Sequence, residues 1–141
     1  MSAPGAGSPR RFRRARADHA AELAEDYTEL IADLLDGVGE ARVRDLAGAL
    51  GVSHVAVSKM VRRLGAAGLV VARARAPLAL TPKGRALATR AKSRHRTVAA
   101  FLVSLGVPSA VADADAEGIE HHCSRATIDA MTRALAGALA R

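Results

Sequence analysis

The sequence predicts a mainly α-helical chain: a winged helix-turn-helix head with a small two-stranded wing, followed by an all-helical half. Three observations carry that prediction. Half of the 141 residues are apolar but only 2% are aromatic, so the core must be packed from Ala, Leu and Val, which suit close-packed helices. Apolar residues recur at helical spacing along most of the chain, broken midway by two short strand-like runs. Two short helical segments flank Gly51, and the second is rich in polar and basic residues, the pattern of a helix-turn-helix rather than of a plain helical hairpin.

Residues 1–17 combine Gly, Pro and Ser with Arg10, Arg11, Arg13, Arg14 and Arg16 and hold nothing that could bury a core, which predicts a disordered arginine-rich arm. Such an arm serves either as a solubilising tail or as an auxiliary phosphate or minor-groove contact. The head is expected over residues 18–81. Leu23, Tyr27, Leu30, Ile31 and Leu34 give a first helix over 18–36, stopped by Gly37 and Gly39. Val43, Leu46, Ala47 and Leu50 give a short helix ending at Gly51. Ser53 then caps another, whose inner face carries Val57, Met60, Val61 and Leu64. Strands are expected over 69–73 and 78–81, around the basic tip Ala74-Arg75-Ala76-Pro77, where the proline should shorten or bend the hairpin.

The helical half is expected over residues 82–141. Thr81 caps, with Pro82 at the first helical position, a long helix reaching about Leu105. Pro108 opens a shorter helix, and Ser124 caps a last one reaching Leu139.

The formal charge is +7 with a pI of about 10.9, which points to a polyanionic partner, nucleic acid before membrane. The length excludes a large multidomain enzyme. Cys123 is the only cysteine, so an intrachain disulfide is excluded and a reducing compartment fits. No apolar stretch follows the basic N-terminus as a signal peptide requires. The apolar segment 98–107, interrupted by Ser104 and Gly106, is too short to span a bilayer. A cytoplasmic protein without a membrane partner is expected.

On the recognition helix, Ser53, His54, Val55 and Ser58 lie near the start, where side chains reach base edges, and Lys59, Arg62 and Arg63 are placed to hold phosphates. The richest chemistry lies in Glu117-Gly118-Ile119-Glu120-His121-His122. On a helix, Glu117, Glu120 and His121 stand at i, i+3 and i+4 and face one way. Two carboxylates with an imidazole suit Mn(II) or Fe(II) and do not exclude zinc; a solvated acidic face is the plainer reading. Asp26 and Glu29 are a second i, i+3 pair, and alone would be ordinary surface acids. His95 alone would be a surface or core-edge histidine.

Five stretches gain weight together: EDYTELI (25–31), GEARVRDLAGALGVSHVAVSKMVRRL (39–64), LTPKG (80–84), SRH (93–95) and DAEGIEHHCS (115–124). In this order they resemble the manganese transport regulator branch of the diphtheria toxin repressor family, from about Ala20 to the C-terminus. The resemblance implies that the helical half is a metal-binding and dimerisation domain, that the protein is a homodimeric repressor rather than an enzyme, and that the ligands are Asp26, Glu29, His95, Glu117, Glu120 and His121. Six ligands are more than one ion needs, so two Mn(II) ions per subunit are expected. The iron-responsive branch has a methionine and a cysteine where this chain has Asp26 and Glu117, and the sequence ends without that branch's SH3-like third domain; both features favour manganese. Cys123 is expected as a packed small residue. A two-fold dimer implies a palindromic operator in double-stranded DNA, and control of manganese homeostasis genes.

A metallohydrolase is disfavoured because HExxH and Ser-His-Asp patterns are absent. A regulator answering iron or zinc, or an organic ligand, stays open. One Tyr, two Phe and no Trp could scarcely line an organic pocket, so no small organic substrate is expected.

Overall fold

A computed structural model describes residues 9–140; the part of the expected arm over residues 1–8 lies outside them. Helix α1 spans Pro9–Val38. It starts well before the expected residue 18, so residues 9–17, expected as disordered arm, extend α1 instead. The reason is local: proline is tolerated in the first turn, and the Arg and Ala that follow are strong helix formers.

Helix α2 (Val43–Leu50) begins with Asp45 accepting from the Arg42 backbone N–H at 2.9 Å and ends at Gly51, whose φ of +65° is left-handed. Helix α3 (His54–Ala66) starts at Ser53, whose Oγ accepts from the Ala56 N–H at 3.1 Å. The wing is one antiparallel ladder of β1 (Val70–Val71) and β2 (Ala79–Leu80), with Val70 opposite Leu80 and Val71 opposite Ala79. The strands are shorter than expected, because Pro77 cannot donate to the ladder and Arg75 turns at φ +61°.

Helix α4 (Pro82–Ser104) is capped by Thr81, which accepts from the Gly84 N–H at 3.0 Å and donates to the Gly68 carbonyl at 2.6 Å. One hydroxyl thus joins wing and helix. A Cβ at Gly84 would lie 2.0 Å from the Leu69 carbonyl oxygen, so the glycine is what allows α4 to abut the wing. Helix α5 spans Ser109–Ile119, a 3-10 turn covers Glu120–His122, and α6 spans Arg125–Leu139. The expectation of one helix through the EGIEHH stretch is therefore corrected: the α-helix stops at Ile119 and its last residues tighten into a 3-10 turn.

Tyr27, Ile31, Leu46, Val57, Val61, Leu64, Leu69 and Leu78 form the buried core of the head. Helix α4 runs against α1, α5 and α6, and the helical half centres on small residues: Ala88, Ala91, Val98, Ala112 and Ala116. Among the described residues, no helix is long and apolar enough to cross a membrane.

Candidate metal centre and nucleic-acid interface

The seam between α1 and α4 is laced with charge. Asp36 meets Arg85 at 3.1 Å, Asp33 meets Lys92, and Glu25 meets Arg94 at 2.5 Å. Each pairs an acid of the head with a base of the helical half. Asp26 and Glu29, in the same stretch of α1, receive no basic side chain from α4 within ion-pair distance. Two of the expected ligands are thus acids that no arginine or lysine of α4 meets.

Across from them stand two groups of donors. In the first, the His121 Nδ1 lies 2.7 Å from Glu25; a carboxylate only accepts, so Nδ1 carries the proton. Its Nε2 then faces Asp26 Oδ1 at 3.1 Å and Glu120 Oε1 at 3.2 Å. Two anionic oxygens around one ring nitrogen call for a cation: a second proton on Nε2, which these carboxylates favour, or a divalent ion that takes the proton's place. In the second group, the His95 Nε2 is 2.7 Å from Asp113, which fixes its proton on that atom. Its Nδ1 lies 3.4 Å from Glu117 Oε1 and is buried without a hydrogen-bond partner. An orphaned imidazole lone pair beside a carboxylate suits a divalent cation.

The structure therefore brings Asp26, Glu120 and His121 together, sets His95 beside Glu117, and leaves Glu29 half-buried one turn along α1 from Asp26. Glu120 and His121 are nearly inaccessible, at 1% and 3% side-chain exposure, whereas Glu117 is 62% exposed. The three do not share one buried face: Glu120 and His121 turn into the seam while Glu117 stays on the exposed side of α5. Donor atoms of Glu25, Glu120 and His121, and likewise of Glu22, Asp26 and His121, all lie within 4.8 Å of one another. The sequence reading missed Glu22, Glu25, Asp113 and Arg94. Glu25 and Arg94 lie directly beside the expected Asp26 and His95, and one more step of helical spacing, from Glu29 back to Glu25, would have raised the first. Arg94 spans Glu25 and Glu120, the latter at 3.2 Å, a permanent cation against part of the cluster.

Electrostatics follow the crowding. Burial, and then the charges of Glu120, Glu117, Asp26 and Asp33, push the Glu29 carboxyl up to about 7. Burial also raises Asp26 and Glu120, outweighing the opposing pull of His121 on both and of Arg94 on Glu120. For His121, burial disfavours the imidazolium, but the bond to Glu25 and the charges of Glu120 and Asp26 prevail and its pKa is raised. The cluster holds more negative charge than its own cations neutralise.

The expected nucleic-acid face lies on α3. Ser53, His54, Val55, Ser58, Lys59, Arg62 and Arg63 are all exposed, Val55 at 66%. Ser53 also serves as the helix cap. Arg62 and Ser58 line a groove with the wing residues Arg73 and Arg75, whereas Arg63 faces the other way, into a cleft against α1. Cys123 is half-buried just after the 3-10 turn, outside both donor groups.

A winged head with a basic recognition face, clamped to a helical half across a cation-hungry cluster, defines a class: metal-responsive, DNA-binding regulators. Two family models match: "Iron dependent repressor, N-terminal DNA binding domain" over residues 19–76 and "Iron dependent repressor, metal binding and dimerisation domain" over residues 81–137. The transcriptional regulator MntR of Salmonella typhimurium is 47% identical over 119 residues, covering 84% of this chain and 76% of that protein. The HTH-type transcriptional regulator MntR of Geobacillus kaustophilus is 43% identical over 105 residues, 74% of either chain. A solved structure described as a manganese-dependent transcriptional repressor complex with manganese superposes with a TM-score of 0.72 at 30% identity, over 80% of this chain and 52% of that one. The chain spans about half the length of that structure.

The chain belongs to the MntR branch of the diphtheria toxin repressor family. It is a metal-dependent, DNA-binding transcriptional repressor of a family with a dimerisation domain, and not an enzyme. Of the alternatives left open by the sequence, an organic effector finds no support in these relatives.

Proposed function

We propose that this protein is a manganese-responsive repressor of manganese homeostasis genes, acting in the cytoplasm as a homodimer on palindromic operator DNA. Two Mn(II) ions per subunit are held by Asp26, Glu29, His95, Glu117, Glu120 and His121. The observation that carries the reading is the convergence of His121 Nε2 with an oxygen of Asp26 at 3.1 Å and of Glu120 at 3.2 Å, next to Glu29, whose carboxyl is pushed up to about 7 by burial and by the surrounding acids. All donors are carboxylate or imidazole, the set that suits Mn(II) rather than a thiophilic ion. The separate His95–Glu117 group supports a second ion. The MntR names of the relatives point the same way.

A bound divalent ion supplies the positive charge this carboxylate cluster lacks. The chain's own residues do the rest. Asp26 and Glu29 ride on α1, a helix whose Tyr27 and Ile31 are part of the head's core. His95, Glu117, Glu120 and His121 ride on the helical half. When the acids of both sides are neutralised together, the head is fixed against the half, and in a dimer the spacing of the two α3 helices is fixed with it. When they are not, mutual repulsion favours other tilts, so the two states differ in metal affinity and the equilibrium shifts by that difference. On α3, His54, Val55, Ser58 and the exposed edge of Ser53 read bases, while Lys59, Arg62 and Arg63 hold phosphates.

The test is selection of a randomised duplex pool by the full chain with Mn(II), Fe(II), Zn(II) or chelator. Convergence on an inverted repeat with Mn(II), lost with chelator and in Glu120→Ala, is the expected result. Enrichment of the same sequence without metal would overturn the reading, and a stronger response to Fe(II) or Zn(II) would overturn its choice of manganese.

A further inference from the structure

Helix α1 begins at Pro9, well before Leu23, its first residue packed on the head's core. Every described side chain over residues 13–21 is exposed, and residues 9–18 alone make about 15 Å of helix at 1.5 Å per residue. A stretch of helix whose described side chains are all exposed gains little from packing and is marginal by itself. Its sequence is one-signed: five arginines precede the first acid, Asp18. Among the described residues, neither Arg13 nor Arg16 has a carboxylate within ion-pair distance, and the same holds for Arg63 on α3.

These charges are not isolated from the recognition helix. Arg16 and His19 of α1 line one cleft with Met60 and Arg63 of α3, over a floor that includes Leu23 and Leu64. An apolar floor with a basic rim suits arginine, whose stem lies along the floor while the guanidinium stays in solvent. Arg63, at the flank of α3, is therefore the near end of a basic row that continues up α1 through Arg16 to Arg13.

We propose that the N-terminal part of α1 is a second DNA-backbone contact, tracking phosphates next to the segment read by α3. This extends the DNA-binding reading above and rests on it. The partner is the phosphate backbone of duplex DNA, chosen by charge complementarity: unpaired guanidinium groups in a row bind phosphates without reading sequence. The helical form matters, because it holds the arginines at fixed intervals instead of leaving them on a flexible tail.

The test compares the full chain with Arg13→Ala/Arg16→Ala and with Arg13→Lys/Arg16→Lys, all in Mn(II), on the selected operator and on mixed-sequence duplex over a range of salt. If each arginine neutralises one phosphate in each subunit of a dimer, the alanine variant should make the slope of log affinity against log salt shallower by about 2 to 4. Operator affinity near 150 mM salt should fall about tenfold or more. The ratio of operator to mixed-sequence affinity should stay unchanged, and the lysine variant should keep most of the slope. An unchanged slope, or a lost operator preference, would overturn the proposal. Metal-dependent operator binding by the unaltered chain is read separately, so failure of the DNA-binding reading is distinguishable from failure of this one.

Discussion

The two parts of the molecule solve packing differently. The head closes over large side chains, with Ile31 and Leu46 at 0% and Leu64 at 2% exposure. The helical half packs alanines around Val98, and α6 buries none of its residues completely. Apolar burial stabilises at about 25 cal/mol per Å², so the head is held by its own side chains while the half is short of area. In the proposed function the half makes up the deficit from outside, with a second copy of the chain and a cation at the seam. A sensor would gain from that arrangement: the part that reads DNA closes on its own core, and the part that relies on outside partners controls its placement.

The largest expected effect tests the self-sufficiency of the head. Leu46→Ala should cost about 2–5 kcal/mol, because a fully buried leucine leaves a cavity. In urea melts the loss should be the same at low and high protein concentration. Leu135→Ala, on the half-buried face of α6, should cost less and should lower the midpoint mainly where the dimer is dilute. Equal, concentration-independent losses would erase the contrast between the two parts.

The junction comes next. Gly84→Ala places a methyl 2.0 Å from the Leu69 carbonyl oxygen, and backbone cannot step aside as a side chain can. A cost of about 2 kcal/mol or more is expected from overpacking, with α4 displaced from the wing. Thermal melts of Gly48→Ala, where the Cβ direction is open, supply the control, which should gain about 0.5–1 kcal/mol from helix propensity instead of losing stability.

The seam itself sets a pH dependence. Asp26, Glu29 and Glu120 have folded-state pKa values raised above their ordinary ones, Glu29 to about 7. A raised carboxyl binds its proton more tightly folded than unfolded, so stability falls as pH rises from about 4.5 to 7 and stays reduced above. His121, also raised, adds in the same direction: its contribution is full below 6.5 and is lost as pH climbs through the folded value. Metal-free protein should therefore melt higher at about pH 5.5 than at about pH 8, and Mn(II) should reverse the order. Glu29→Gln should flatten the metal-free profile; a profile that stays as steep would place the repulsion elsewhere.

The course of the chain is largely legible in the sequence because its punctuation is local. Ser53, Gly51, Thr81-Pro82 and Ser124 mark helix ends through bonds made within three or four residues, and such signals need no knowledge of the fold. The wing is shorter than its composition suggests because Pro77 and the left-handed Arg75 interrupt a strand-like run. The start of α1 is hard to place because arginine and glycine-proline content imitates disorder, while Pro9 and the alanines after it favour a helix. The metal cluster is half legible. Asp26, Glu29, Glu120 and His121 show in helical spacing, but Glu25, Arg94 and Asp113 matter only through contacts that span 18 to 96 positions, which no local pattern encodes.

The smallest effect sharpens the comparison most. The same device starts a helix in each part: Ser53 Oγ accepts from the Ala56 N–H at 3.1 Å, and Ser124 Oγ from the Thr127 N–H at 3.3 Å. Removing either by Ser→Ala should cost about 1 kcal/mol locally. In the head that cost is shared with a closed core, so Ser53→Ala should lower the global midpoint and leave amide exchange elsewhere in proportion. In the half it falls on a helix with no fully buried residue, so Ser124→Ala should raise exchange along α6 far more than in α3, and excess partner chain should suppress the increase. If both variants raise exchange evenly across the molecule, head and half unfold as one unit and the independence of the head is an artefact of how its core is distributed.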